Sequence, residues 1–122
     1  MSESILKSNI CNHAKRVSYL KLVRRMSAGN NAGEPDIFGC FNGKHVEIEV
    51  KVGKNEPTKL QYDKLLEWRK FTPIVGCVWS LTDVFNLLQS FCEDQYQEKE
   101  LRDAFFKEKE AVRLYKPNQP ET

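Results

Sequence analysis

Asp36-Ile37-Phe38-Gly39-Cys40-Phe41-Asn42-Gly43-Lys44-His45-Val46-Glu47-Ile48-Glu49-Val50-Lys51-Val52 is the stretch on which the fold turns. Asn-Gly between two apolar runs is a strong signal for a tight hairpin turn. Asp36 to Phe41 therefore reads as one strand and His45 to Val52 as its antiparallel partner. Alternate residues of a strand face opposite ways. Val46, Ile48, Val50 and Val52 then point into a core, and Glu47, Glu49 and Lys51 share the other face. Asp36 begins the neighbouring strand, and the short turn folds it back towards Glu49. Two carboxylates and an ammonium can converge at a sheet edge.

On the N-terminal side, Ser4 to Ala14 reads as a helix. Ile5, Leu6, Asn9, Ile10 and His13 fall at helical spacing, and Ser2 or Ser4 can cap the start. Val17 to Arg25 has the β-branched and aromatic content of a strand. Residues 27–33 form a glycine- and asparagine-rich loop. On the C-terminal side, Gly53 to Glu56 breaks the pattern. Thr58 to Phe71 is helical, with Leu60, Leu65, Leu66 and Trp68 expected on its buried side and Pro73 ending it. Ile74 to Trp79 has strand length and is apolar enough for burial on both faces. Thr82 or Asp83 can cap a further helix through Phe91. Glu93 to Tyr115 is charge-rich and helical by propensity, with Leu101, Ala104, Phe105 and Val112 as a thin apolar stripe. Residues 116–122 read as a frayed tail. The expectation is one domain over residues 1–122, with a core to about residue 91 and a helical extension over 93–115. Its class is α/β: a mixed central sheet flanked by helices, with an extra C-terminal helix.

The 122 residues suffice for a core without disulfides or a structural metal. The cysteines, Cys11, Cys40, Cys77 and Cys92, form no CxxC pair, so a zinc site is not expected. They read as reduced, partly buried thiols of an intracellular protein. The longest apolar run is too short to cross a bilayer, and the N-terminus does not read as a signal peptide. Charge is uneven: residues 1–90 carry 13 Lys and Arg against 9 Asp and Glu, and residues 91–122 carry 6 against 8. The positive excess sits with the motifs, although an ordinary solvated surface would look the same.

Asp36, Glu49 and Lys51 suit phosphodiester hydrolysis. Carboxylate oxygens, and the Val50 carbonyl between them, are hard ligands for Mg²⁺, with Mn²⁺ as a substitute. A neighbouring lysine can orient water and offset charge on the phosphate. The plainer alternative is a solvated Glu-x-Lys pair beside a common Pro-Asp dipeptide. Glu47, one pleat away from Lys51, is expected at the rim of the site or just behind its ligands. Arg24, Arg25, Lys54 and Lys59 lie where DNA phosphates could be contacted, though each could equally be a solvated surface cation. His13, Trp68 and Trp79 read as packing residues. Phe105 and Phe106 suit either the core or a partner.

Gly33-Glu34-Pro35-Asp36, then Glu49-Val50-Lys51, then a helix with an early Gln61, resembles the PD-(D/E)XK nuclease core, and within it the VRR-NUC (virus-type replication-repair nuclease) domain. The likeness spans Val17 to about Leu88. It implies that Asp36 and Glu49 are metal ligands, that Lys51 positions water and phosphate, and that Gln61 borders the site. Glu3 would stand for a first-helix glutamate; alternatively, it interacts with the helix dipole. Gln61 also fits a capping box with Thr58. The resemblance further implies a structure-selective DNA endonuclease acting in repair or recombination. A homodimeric Holliday-junction resolvase is its leading form, since two symmetric cuts need two sites. The Phe85, Leu87 and Leu88 segment and the C-terminal helix are the expected dimer surfaces. The setting implied is cytoplasmic or nucleoid-associated, compatible with a phage or viral origin. The alternatives are a nuclease for nicked, flapped or linear duplex DNA, an inactive DNA-binding module of the same fold, and a plain interaction domain carrying the motif by chance.

Overall fold

The computed structural model describes residues 1–26 and 32–106. Expectations for residues 27–31, for Val112 and the rest of 107–115, and for the tail lie outside the described residues.

Helix α1 spans Glu3–Ala14, and of the two candidate caps Ser2 is used: its hydroxyl accepts the Ile5 N–H at 3.1 Å. Leu6, Ile10 and Ala14, four residues apart, are its buried stripe. Ile5, expected on that stripe, is 54% exposed. Strand β1 covers Leu20–Arg24, shorter than expected, because Val17 is used in the turn that leaves α1. Strands β2 (Ile37–Phe41) and β3 (Lys44–Val50) form the hairpin. Asn42 and Gly43 have φ of 51° and 80°, as a type I′ turn requires.

Helix α2 (Lys59–Arg69) then carries the chain to β4 (Ile74–Val78), which pairs parallel to β3. The sheet order is β1-β2-β3-β4, antiparallel across the first three strands. The expected mixed α/β sheet is what forms. Helix α3 (Leu81–Leu88), a 3-10 turn (Gln89–Phe91) and α4 (Gln95–Phe105) complete the described chain.

The two faces of the sheet differ in chemistry. Val46, Ile48 and Val50 of β3 are fully buried in one cluster with Leu6 and Ile10 of α1, Val84, Phe85 and Leu88 of α3, and Leu101 and Phe105 of α4. Val52 is only half-buried, because β3 ends at Val50. Helix α2 packs on β3 and β4 and lies over the opposite face, which carries Glu47 and Glu49. This explains why its apolar residues depart from expectation. Leu65 is buried, but Leu60 and Leu66 are 49% and 47% exposed, since a polar sheet face offers little apolar surface to cover. Leu60 instead rests on Gly33: a Cβ there would stand 2.5 Å from Leu60 Cγ, and φ is +82°.

Four further expectations are corrected. Ser80, and neither Thr82 nor Asp83, caps α3; Asp83 accepts the Trp79 N–H instead. Trp68 and Trp79 are half-buried with polar partners, the Glu34 carboxylate and the Asn55 carbonyl, where simple core packing was expected. Phe85 and Leu88 are 2% and 0% exposed, so they belong to the protomer's own core and not to a dimer surface. The same holds for the described apolar stripe of α4, Leu101, Ala104 and Phe105. His13 packs as expected, near the Phe105 ring. Among the described residues no helix is long and apolar enough to cross a membrane.

Candidate active site

Ile37 pairs with Ile48 in the β2–β3 register, so the next residues out, Asp36 and Glu49, stand opposite each other. The hairpin thus brings together the two carboxylates that the sequence separates. Asp36 Oδ2 accepts the Val50 N–H at 2.8 Å, which pins the aspartate across the strand end. Lys51 follows on the same face as Glu49, and its N–H still pairs with Val78 of β4. Its ammonium lies 3.7 Å from Glu49 Oε2. Lys51 is 8% exposed and Glu49 1%, a degree of burial unusual for these residue types.

The two buried glutamates of β3 have opposite fates. Glu47 is saturated. Arg25 donates from both nitrogens at 2.8 and 3.0 Å, and His45 Nε2 lies 2.6 Å from Oε2. Arg25 also donates to the Pro35 carbonyl and sits 4.7 Å over the Phe38 ring. Trp68 stacks on His45 at 4.9 Å. Glu47 is therefore a structural anchor buried behind the acidic pair, the second of the two places expected for it, and not at the rim. Arg25, expected to meet DNA, is committed to it.

Glu49 is left short. Its Oε1 is fully buried without a hydrogen-bond partner. Burial first, then the negative charge of the adjacent Asp36, push its carboxyl up to about 8, against the weaker pull of Lys51 and Lys7. Cys77, opposite Glu49 on β4, is itself pushed up to about 12 by burial and by Glu49. It stays a neutral thiol and adds no further negative charge beside the pair. A buried acid with a bare oxygen beside a second acid is an expensive arrangement. A hard cation bridging the pair would relieve it.

Several expected residues lie elsewhere or serve other purposes. Gln61 forms the capping box of α2: its Oε1 accepts the Thr58 N–H at 2.9 Å, and Thr58 Oγ1 accepts the Gln61 N–H at 3.2 Å. Arg24 reaches back to α1, donating to the Ser8 hydroxyl at 2.9 Å and more weakly to Ser4. Lys59 pairs with Asp63 on the exposed face of α2, and Lys54 is exposed after β3. Glu3 opens α1, half-buried, one turn before Lys7.

Lys7 is the residue the sequence reading missed. Its ammonium lies 3.0 Å from Asp36 Oδ1. The available signal was its position, four residues after Glu3 on one face of α1. Among the described residues no group of three or more His, Cys, Asp or Glu could hold a metal ion. The acidic pair supplies two side-chain ligands, which suits a cation that keeps several waters and takes the rest of its shell from substrate. Comparison with protein-family models, curated proteins and solved structures finds no match to this chain.

Proposed function

We propose that the chain is a Mg²⁺-dependent DNA endonuclease, able to use Mn²⁺, built on the PD-(D/E)XK plan. One observation carries this reading: Asp36 and Glu49 are held face to face with a buried, unpartnered Glu49 oxygen and the Lys51 ammonium 3.7 Å away. Glu47, two residues earlier, shows that this fold can satisfy a buried glutamate fully. The shortfall at Glu49 is thus local to the pair. The order of one helix, three antiparallel strands, a helix and a parallel strand agrees with the same plan.

In this reading Asp36, Glu49 and the Val50 carbonyl hold the cation. Once bound, it would polarise the phosphate and lower the pKa of a water. Lys51 orients that water and offsets charge gathering on the phosphate oxygens. The water gives up a proton to solvent as its oxygen bonds to phosphorus and the P–O3′ bond breaks, and the departing 3′ oxygen takes up a proton from solvent. The products are a 5′-phosphate and a 3′-hydroxyl. Glu3 and Gln61 border the site, Gln61 leaving its cap to do so. Lys54 is exposed and the Lys59–Asp63 ion pair lies at the surface, so in this reading Lys54, and Lys59 on leaving Asp63, meet backbone phosphates.

The substrate that the sequence resemblance favours is branched DNA, a four-way junction cut by a homodimer. The test is cleavage of a labelled junction beside a linear duplex of the same sequence, with Mg²⁺, Mn²⁺ or EDTA, for wild type and Lys51→Ala. Paired metal-dependent cuts near the crossover, absent in the variant, are expected. Cutting of linear DNA alone would keep the chemistry and remove the junction. No cutting of either would leave a binding module.

A further inference from the structure

Asp36 and Glu49 differ in which oxygens they have to offer. Both oxygens of Asp36 are occupied: Oδ2 by the Val50 N–H at 2.8 Å, Oδ1 by Lys7 at 3.0 Å. Glu49 keeps Oε1 bare. The Val50 bond belongs to the strand end and is held by the sheet, whereas Lys7 is a flexible side chain, 20% exposed, reaching in from α1. Of the two, Oδ1 is the oxygen whose partner can move, so a cation that takes Oδ1 together with Glu49 competes with Lys7 for it. Arg24 of β1, hydrogen-bonded to Ser4 and Ser8, holds α1 in place on either side of Lys7 in the sequence. The ammonium is thereby delivered to Asp36 by a fixed helix.

Resting on the cation-binding reading above, we infer that Lys7 is the resident counter-ion of Asp36, a positioning residue that competes with the divalent cation for Oδ1 and swings away when the cation binds. It keeps the acidic pair compact without metal and sets the concentration at which the site loads. Its long stem then leaves the displaced ammonium near the phosphate that arrives with the cation.

Calorimetric titration of the full chain with Mn²⁺ or Ca²⁺, without DNA, tests this directly. Four proteins are compared: wild type, Lys7→Gln, Lys7→Arg and Lys15→Gln. Lys15 removes the same charge at the far end of α1, about 12 Å along the helix axis. Lys7→Gln is expected to bind the cation about threefold to tenfold more tightly. Lys7→Arg should stay close to wild type, and Lys15→Gln should change by less than about twofold. Unchanged or weaker binding by Lys7→Gln would overturn the inference. So would equal tightening by Lys7→Gln and Lys15→Gln, which would be an effect of net charge. If neither wild type nor Lys7→Gln binds the ion, the cation reading itself fails and takes this inference with it. Binding by Lys7→Gln alone would be its strongest support.

Discussion

At the residue scale the decisive contrast is between Glu47 and Glu49, two buried carboxylates on one strand face. Glu47 is paired with the Arg25 guanidinium and lies within hydrogen-bond distance of His45; Glu49 is held beside another acid with one bare oxygen. The sign of the resulting pH dependence is fixed. The Glu49 carboxyl is raised from 4.5 to about 8, so the folded protein binds a proton that the unfolded chain releases. Its contribution to stability is full below about pH 4.5 and is lost as pH rises through about 8. Glu49→Gln should therefore raise metal-free stability at pH 8, by on the order of 2 kcal/mol, and flatten the profile across that window. Denaturant unfolding at a series of pH values checks this; a variant less stable than wild type at pH 8 would contradict it. The proposed catalytic roles separate at the same scale. Asp36→Ala and Glu49→Ala should abolish cleavage while leaving DNA binding intact. Lys51→Ala should retain Mn²⁺ binding yet lose turnover by a factor of about 10² to 10³. Cleavage assays paired with gel-shift and calorimetric binding distinguish these roles from simple unfolding.

At the element scale β3 is what makes a site possible, because its two faces meet different helices. Valines and isoleucine pack against α1, α3 and α4, while the charged face lies under α2. That face needs internal neutralisation, and the Arg25–Glu47–His45 cluster at the end of β1 supplies it. Arg25→Ala would strand Glu47 at 0% exposure. A loss of about 3–5 kcal/mol of unfolding free energy is expected. The double variant Arg25→Met with Glu47→Leu should recover much of it. A small effect from Arg25→Ala alone would mean that His45 suffices for Glu47. The capping box explains in the same way why Gln61 was ambiguous: the four residues that start α2 use its side chain for the helix itself.

At the scale of the whole molecule, burial removes Phe85, Leu88 and the described apolar stripe of α4 from the dimer surfaces that sequence pattern favoured, while Leu87 of the same segment stays partly exposed. Phe85 packs inside the protomer, with Phe106 edge-on at 5.8 Å and Arg102 at 4.7 Å over its ring. Phe85→Ala should cost about 3–5 kcal/mol of stability regardless of association. Under native conditions it should leave the mass by light scattering unchanged from wild type. For the paired cutting proposed here, wild type should scatter at twice the 14.2 kDa chain mass. A wild-type monomer at micromolar concentration would remove the dimer, and a Phe85→Ala monomer beside a wild-type dimer would restore the α3 surface.

What the sequence determined was local. The Asn42-Gly43 turn, the alternation of β3, the cap at Thr58 and the run of Ile74 follow from backbone preference and short-range spacing. With them came the order of elements, the mixed sheet and the meeting of Asp36, Glu49 and Lys51 across one hairpin. What only the tertiary structure decided was which polar groups share a partner from a distant element. Lys7 meets Asp36 across 29 positions, and Arg25 meets Glu47 across 22. The sequence shows each of these only as a charged residue at a surface-compatible position. Likewise, nothing in the spacing of α2 or α3 tells which sheet face each helix covers. Leu60 and Leu66 were therefore expected inside and lie half outside, while Phe85 was expected at a surface and lies in the core. Helical periodicity shows that a helix has an apolar side; only packing shows what that side meets.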